Sequence, residues 1–401
     1  MPYCRIPACI TIIITITITI METIIAMPDA LEGLRVVEFG AYAAGPAIGK
    51  YLANFGAQVV HVESHERPDG FRLQYPPFKD GVVGINRSAC FSYFNDSKYG
   101  VTVNLKTKEG TDVARRLCDW TDIIIENMRP GVMERLGLAY DALSRSNPGL
   151  IMLSTSNMGK TGPQAGHPGF GSQLSSLSGF TELIGEPEGA PNLLYGPYID
   201  LIAVAYGGTA VLAALDYRRR TGKGVYIDLS QYETGLQFLS PSLLDYAANG
   251  VIAARSGNHD SSAEPHGCYP CRDGEWIAIS CWDPAERKRL EQLTVGHTLA
   301  AWTRNRDARE LMDRLQSAGV HAAIVNTMKD LFSDPQLSAR DIWQSMDHGE
   351  IGAQHYRMTS YQLSETPGRI RRPAPLLGQD NDEVLTNWLD SDTKEYREMT
   401  R

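Results

Sequence analysis

The chain has 401 residues, 43% of them hydrophobic and 21% charged, with a formal net charge of -9. This balance fits a globular chain with room for two domains and excludes a disordered or collagen-like one. The acidic total argues against a nucleic-acid surface and for small-molecule partners, while leaving room for a local basic pocket. Seven cysteines at irregular spacing fit a reduced, cytoplasmic protein rather than a disulfide framework.

Residues 1–26 form an atypical tail, with 10–20 almost pure Ile and Thr in strand-like alternation. The stretch is too polar for a membrane span and has no small-residue cleavage site, so Met21 or Met27 is a candidate start. It is left out of the fold reading.

Runs rich in Val and Ile at 34–39, 58–63, 122–126 and 150–155 alternate with helical stretches. That order predicts parallel strands joined by crossover helices, hence a doubly wound, Rossmann-like α/β domain over 27–223. Gly40, Gly45 and Gly49 after the first strand, with Glu63 closing the second, invite a dinucleotide reading. The Gly-x-Gly-x-x-Gly spacing is absent, however, and Pro46 suits the first turn of an ordinary helix. A nicotinamide enzyme is therefore an alternative without its fingerprint.

The apolar run 201–215 predicts a buried helix directly behind Asp200. A carboxylate there caps the first free amides, and the positive end of the helix dipole keeps it ionised near neutral pH. Both an ordinary cap and a poised nucleophile fit that position. After the basic turn 218–224, residues 225–229 predict a strand that opens a smaller α+β domain running to 325. A hairpin is expected around Arg272 and Glu275. His266, Cys268, Cys271 and Cys281 allow a zinc site to be drawn, but no second Cys-x-x-Cys closes it, and no metal is expected. The return segment, 326–401, includes a loop and helix over 373–389 that can rejoin the first domain.

Several motifs fall in a specific order: Leu-Glu-Gly-Leu-Arg-Val-Val-Glu at 31–38, Ala-Gly-Pro at 44–46, Gly-Ala-Gln-Val-Val-His-Val-Glu at 56–63, and Asn95 with Lys98. Glu-Asn-Met-Arg-Pro-Gly-Val-Met-Glu-Arg-Leu-Gly-Leu at 126–138, Thr-Gly-Pro at 161–163, Arg-Arg-Thr-Gly-Lys-Gly at 219–224 and Pro-Leu-Leu-Gly-Gln-Asp-Asn-Asp-Glu-Val-Leu at 375–385 follow. Together they resemble the family III CoA-transferases, the group of formyl-CoA transferase and the carnitine and bile-acid CoA-transferases, over about residues 31–389.

The resemblance implies an interlocked dimer, with the large domain built from both ends of the chain and the small domain inserted. It implies that Asp200 is the nucleophile and that an aspartyl-CoA thioester stores the energy of the donor thioester. It places Gly257, in Ser-Gly-Asn-His-Asp at 256–260, in the loop that stabilises oxyanions, although a single glycine departs from the family's glycine-rich pattern. Lys98, Arg129, Arg72 and Ala44 match positions that hold the CoA nucleotide. Phe170, Gln173 and Tyr198 match the acyl side.

Where the family reads Gly-Tyr-Asp or Gly-Tyr-Glu, this chain reads Gly-Phe-Gly at 169–171. The related racemases use a His-Asp pair there, so its absence speaks against racemisation. A racemase or dehydratase on the same fold, and a non-catalytic CoA-binding subunit, are the alternatives to transfer. The wording around Phe170 and Asp200 is similar to that of transferases acting on succinyl-CoA and aromatic acids such as benzylsuccinate, which are built from two related chains. The expected partners are an acyl-CoA, a carboxylic acid and a second chain, identical or related, with no permanent cofactor, nucleic acid or membrane.

Overall fold

A computed structural model describes residues 28–196 and 198–389; the atypical tail over 1–26, with its candidate starts, lies outside the described residues. The elements that frame the site are, in chain order, β1 (Arg35–Phe39), α1 (Ala44–Asn54), β2 (Gln58–Glu63), α2 (Gly70–Leu73), α3 (Ala89–Asn95), β3 (Tyr99–Thr102), α4 (Lys108–Trp120), β4 (Ile123–Glu126) and β5 (Ile151–Ser156). Then come α5 (Gly171–Leu177), α6 (Tyr198–Thr221), β6 (Tyr226–Ser230), β7 (His266–Pro270), β8 (Trp276–Ser280), β9 (His321–Ile324), β10 (Trp343–His348) and β11 (Gly352–Arg357).

The chain divides into two compact units. The first takes the described residues to Pro168, Asp200–Gln231 and the described residues from Ile342 on; the second takes the described residues of Gly169–Ile199 and Tyr232–Asp341.

In the first unit six parallel strands run in the order β3-β2-β1-β4-β5-β6. Successive residues of a strand point to opposite faces, and here both faces are apolar because helices cover both. Val36, Val59, Ile123, Ile125 and Leu153 pack with Ile48 and Leu52 of α1 and with Val204 and Val211 of α6. Their neighbours Val37, Val60, Ile124 and Met152 pack on the other face with Val113 and Leu117 of α4 and with Val384 and Leu385. Burying each such side chain contributes about 1.5–3 kcal/mol, so these two layers dominate the unit's stability.

The edge strand β3 is covered from the end of the chain. Asp380 accepts from Gly100 N at 2.8 Å, and Asn381 accepts from Thr102 N at 2.8 Å. Side chains thus satisfy amides that a further strand would otherwise take.

One element departs from expectation. Residues 225–229 read as the opening strand of the smaller domain, but β6 pairs with β5 in parallel, in register Met152 to Tyr226, and completes the first sheet. Its alternating pattern of half-buried residues suits an edge strand of either domain.

The second unit holds an antiparallel sheet, β7-β8-β9, with the turn at 272–275. Ile277 and Ile279 of β8 pack on Trp302, Leu311 and Leu315 to form its core. Cys271 and Cys281 are buried in that core, whereas Cys268 is exposed. Among the described residues no three metal-ligating side chains are gathered together.

Candidate active site

In a doubly wound sheet the strand order reverses at one point, where two carboxyl ends splay apart and leave a crevice. Here that point lies between β1 and β4. The loop 40–43 and the start of α1 rise from one side, and residues 127–131 from the other.

Asn127 ties the two loops. Its side chain donates to Ala41 O at 2.7 Å and accepts from Ala41 N at 3.0 Å. The glycines that raised the dinucleotide reading serve this contact: a Cβ on Gly40 would fall 1.8 Å from Asn127 Oδ1, and one on Gly45 would meet it at 3.3 Å. Gly49 instead makes room for the Glu38 carboxylate. Glu63, the candidate ribose ligand, is buried in a bidentate pair with Arg72.

Lys98 and Arg72 depart from their expected roles as nucleotide-binding cations. Lys98 Nζ is fully buried and donates to Pro46 O at 2.7 Å, Asn95 Oδ1 at 2.8 Å and both Glu38 oxygens at 3.0 Å. An ammonium has three donors, so none is left for a phosphate. Burial lowers the Lys98 pKa, opposed by Glu38. Burial raises that of Glu38, but Lys98 and His61 outweigh it and leave the carboxyl below its ordinary value.

Arg72 is equally buried. It reaches Glu63, Asn86 Oδ1 and Pro375 O and stacks 3.5 Å over the Phe91 ring. These two cations hold α1, α2 and the returning chain together. Arg129, by contrast, is exposed at the carboxyl end of β4. Ala44 is buried as the first residue of α1.

A second tie, not foreseen from the sequence, fixes the loop after β5. Lys160 Nζ pairs with the buried Glu126 at 2.7 Å, and Lys160 N donates to both Asp228 oxygens at 3.0 Å. Glu126 also accepts from Ser154 Oγ and from Met128 N.

Asp200 lies in the first turn of α6 but not at its cap, because the helix already begins at Tyr198. The side chain is half-buried. Removal of water pushes its carboxyl up to about 6, and a hydrogen bond from its own amide opposes this only in part. At pH 7 and above the carboxylate is still mostly ionised, and it is poorly solvated, as suits a nucleophile.

In the second unit, Phe170 is exposed at the N-terminus of α5, where its N–H donates to Gln173 Oε1 at 3.0 Å. The Gln173 carbonyl is therefore occupied in holding its own helix end, which leaves its amide as the group free to donate. The Tyr198 ring stands edge-on to Phe180, 5.6 Å between centroids. His167 is exposed.

Gly257 has φ +57 and donates its N–H to Gly185 O at 2.9 Å. In this conformation that amide is taken, so stabilising an oxyanion first requires the Gly185 bond to open. A Cβ at Gly257 would sit 2.8 Å from the Glu186 carboxylate.

The model of CoA-transferase family III matches residues 31–297 and 283–381. The succinyl-CoA–D-citramalate CoA-transferase of Chloroflexus aurantiacus is 31% identical, covering 90% of this chain and 94% of that one. A subunit of the succinyl-CoA:(R)-benzylsuccinate CoA-transferase of Thauera aromatica is 32% identical, covering 85% of this chain and 90% of the other. A CaiB/BaiF family protein from Brucella suis superimposes with a TM-score of 0.82 at 29% identity, over 90% of this chain and all of its own. With its doubly wound sheet and matching motifs, the chain belongs to the family III CoA-transferases.

Proposed function

We propose that the protein moves CoA from succinyl-CoA to a dicarboxylic acid through a thioester on Asp200. The observation that carries the assignment is a desolvated, mostly ionised carboxylate in the first turn of α6. The donor and acceptor are suggested by similarity: several related enzymes are named for succinyl-CoA or succinate with D-citramalate, L-malate, glutarate or benzylsuccinate, all dicarboxylates, although a bile acid CoA-transferase is also related.

The Asp200 carboxylate attacks the donor carbonyl and expels CoA thiolate, which leaves a mixed anhydride. The thiolate attacks the aspartyl carbonyl and releases succinate. The acceptor carboxylate then attacks the aspartyl thioester, and the returning thiolate takes the acceptor's acyl group and restores Asp200. No proton is gained or lost overall, and each intermediate retains the activated acyl bond. Arg129 and the N-terminus of α1 at Ala44 are assigned to CoA, Phe170, Gln173 and Tyr198 to the acid, and the Gly257 loop to the oxyanions once it is released. We assign the assembly as a dimer of this chain or a pair with a related one, in the cytoplasm.

Succinyl-CoA incubated with a panel of dicarboxylates yields a new CoA thioester with the wild type and none with Asp200→Ala. As pH falls through about 6, kcat falls, because Asp200 takes up a proton and loses its nucleophilic pair. Full activity in Asp200→Ala refutes the assignment.

A further inference from the structure

We propose that Asp69 is a positioning residue for the loop between β1 and α1, gripping that loop in its ionised form from within a buried charge cluster. The proposal rests on the reading that this loop meets CoA.

Asp69 accepts from Tyr42 N with both oxygens, at 3.0 and 3.1 Å, and from Phe71 N at 2.8 Å. Tyr42 has φ +67, a left-handed conformation that a bulky residue adopts only where its surroundings hold it. With Asn127 fixing Ala41, the loop is gripped from two sides.

The grip is embedded in a buried charge cluster. Glu63 and His61 face Asp69 from β2, Glu38 lies beyond them on β1, and Arg72 approaches from α2. Lys98 approaches from the turn before β3, and the Tyr42 phenol from the loop itself. Lys50 and Asp96 form their own pair at 2.6 Å, and the Arg72 charge also reaches His348. Glu38, Glu63 and Asp69 thus make three buried carboxylates against two fixed cations, Lys98 and Arg72. One positive charge is missing.

His61 lies against all three carboxylates. Nδ1 lies 2.5 Å from Glu38 Oε1, so that nitrogen carries the donated hydrogen. Nε2 is buried without a hydrogen-bond partner, 3.6 Å from Asp69 Oδ2 and 3.9 Å from Glu63 Oε2. Burial pushes Asp69 up to about 6, and the His61 charge is the main influence holding it down. As pH falls through that value Asp69 takes up a proton from solvent, becomes a neutral acceptor and loosens its hold on Tyr42 and Phe71.

The test measures amide hydrogen exchange of residues 40–45, corrected for intrinsic chemistry, together with the Kd of CoA, between pH 5 and 8.5. In the wild type, exchange speeds up and CoA binding weakens roughly ten-fold as pH falls through about 6, the usual gap between a charged and a neutral acceptor. His61→Gln moves both transitions to higher pH, and Asp69→Asn leaves them flat at the loosened level. Loop protection that ignores pH in the wild type, or an unmoved transition in His61→Gln, overturns the proposal, and the wild-type arm decides it even if a variant fails to fold. Loop exchange that follows pH while CoA binds at no pH refutes the CoA reading and leaves the positioning role standing.

Discussion

The two units hold their candidate site loops by different means. In the first, loops at the carboxyl ends of the strands are fixed by side chains, two of them, Asp69 and Glu126, buried carboxylates: Asn127 and Asp69 hold residues 40–43, and Glu126 and Asp228 hold Lys160. In the second, loop 256–260 is secured by main-chain bonds, Gly257 N to Gly185 O and His259 N to Ser256 O, with Asn258 O beside His266 Nδ1. Buried charge-assisted bonds cost several kcal/mol to break, and exposed neutral ones about 1 kcal/mol. The contrast assigns pre-organisation to the first unit and movement to the second.

The sharpest way to break that contrast is Lys98→Met. It strips the buried Glu38 carboxylate of its ammonium partner, leaving only His61 Nδ1, and costs about 3–5 kcal/mol in urea unfolding. A Lys98 that served CoA instead would leave stability unchanged and raise KM.

Arg129→Ala has the opposite signature. It leaves the unfolding midpoint in place and raises the KM for the thioester roughly ten-fold, about 1.4 kcal/mol, as loss of one exposed phosphate contact requires. A shift in stability without a shift in KM contradicts the assignment.

Gly257→Ala tests the movable loop. A Cβ in the left-handed region costs about 1–2 kcal/mol, and here it also presses on Glu186. Because this strain falls on the conformation with the Gly185 bond closed, the variant changes kcat with little effect on KM. Equal loss of both places the loop in binding rather than chemistry.

The strands were legible because Val and Ile cluster where both faces of a sheet are covered, as at 58–63 and 150–155. Strand β3 was not, being four residues that include Gly100, with Pro375 packed where a Cβ would stand. Residues 225–229 read as a strand, but nothing in the pattern of an edge strand tells which sheet receives it. The site divides along the same line. The position of Asp200 at the start of a long apolar helix was visible, while its upward shift was not, since sequence shows a charge but not the water removed from it. For the same reason Lys98 and Arg72 looked like ligands for phosphate. Asn127 stood inside the motif at 126–138, yet its grip on Ala41 is a contact across 86 positions that only the folded sheet creates.

The measurement that bears most directly on the account is peptide mass spectrometry after incubation with succinyl-CoA and trapping with hydroxylamine. A hydroxamate on the peptide carrying Asp200, absent from Asp200→Ala, is the predicted result. Acyl transfer that proceeds with Asp200 unlabelled, or with the label on another carboxylate, contradicts it.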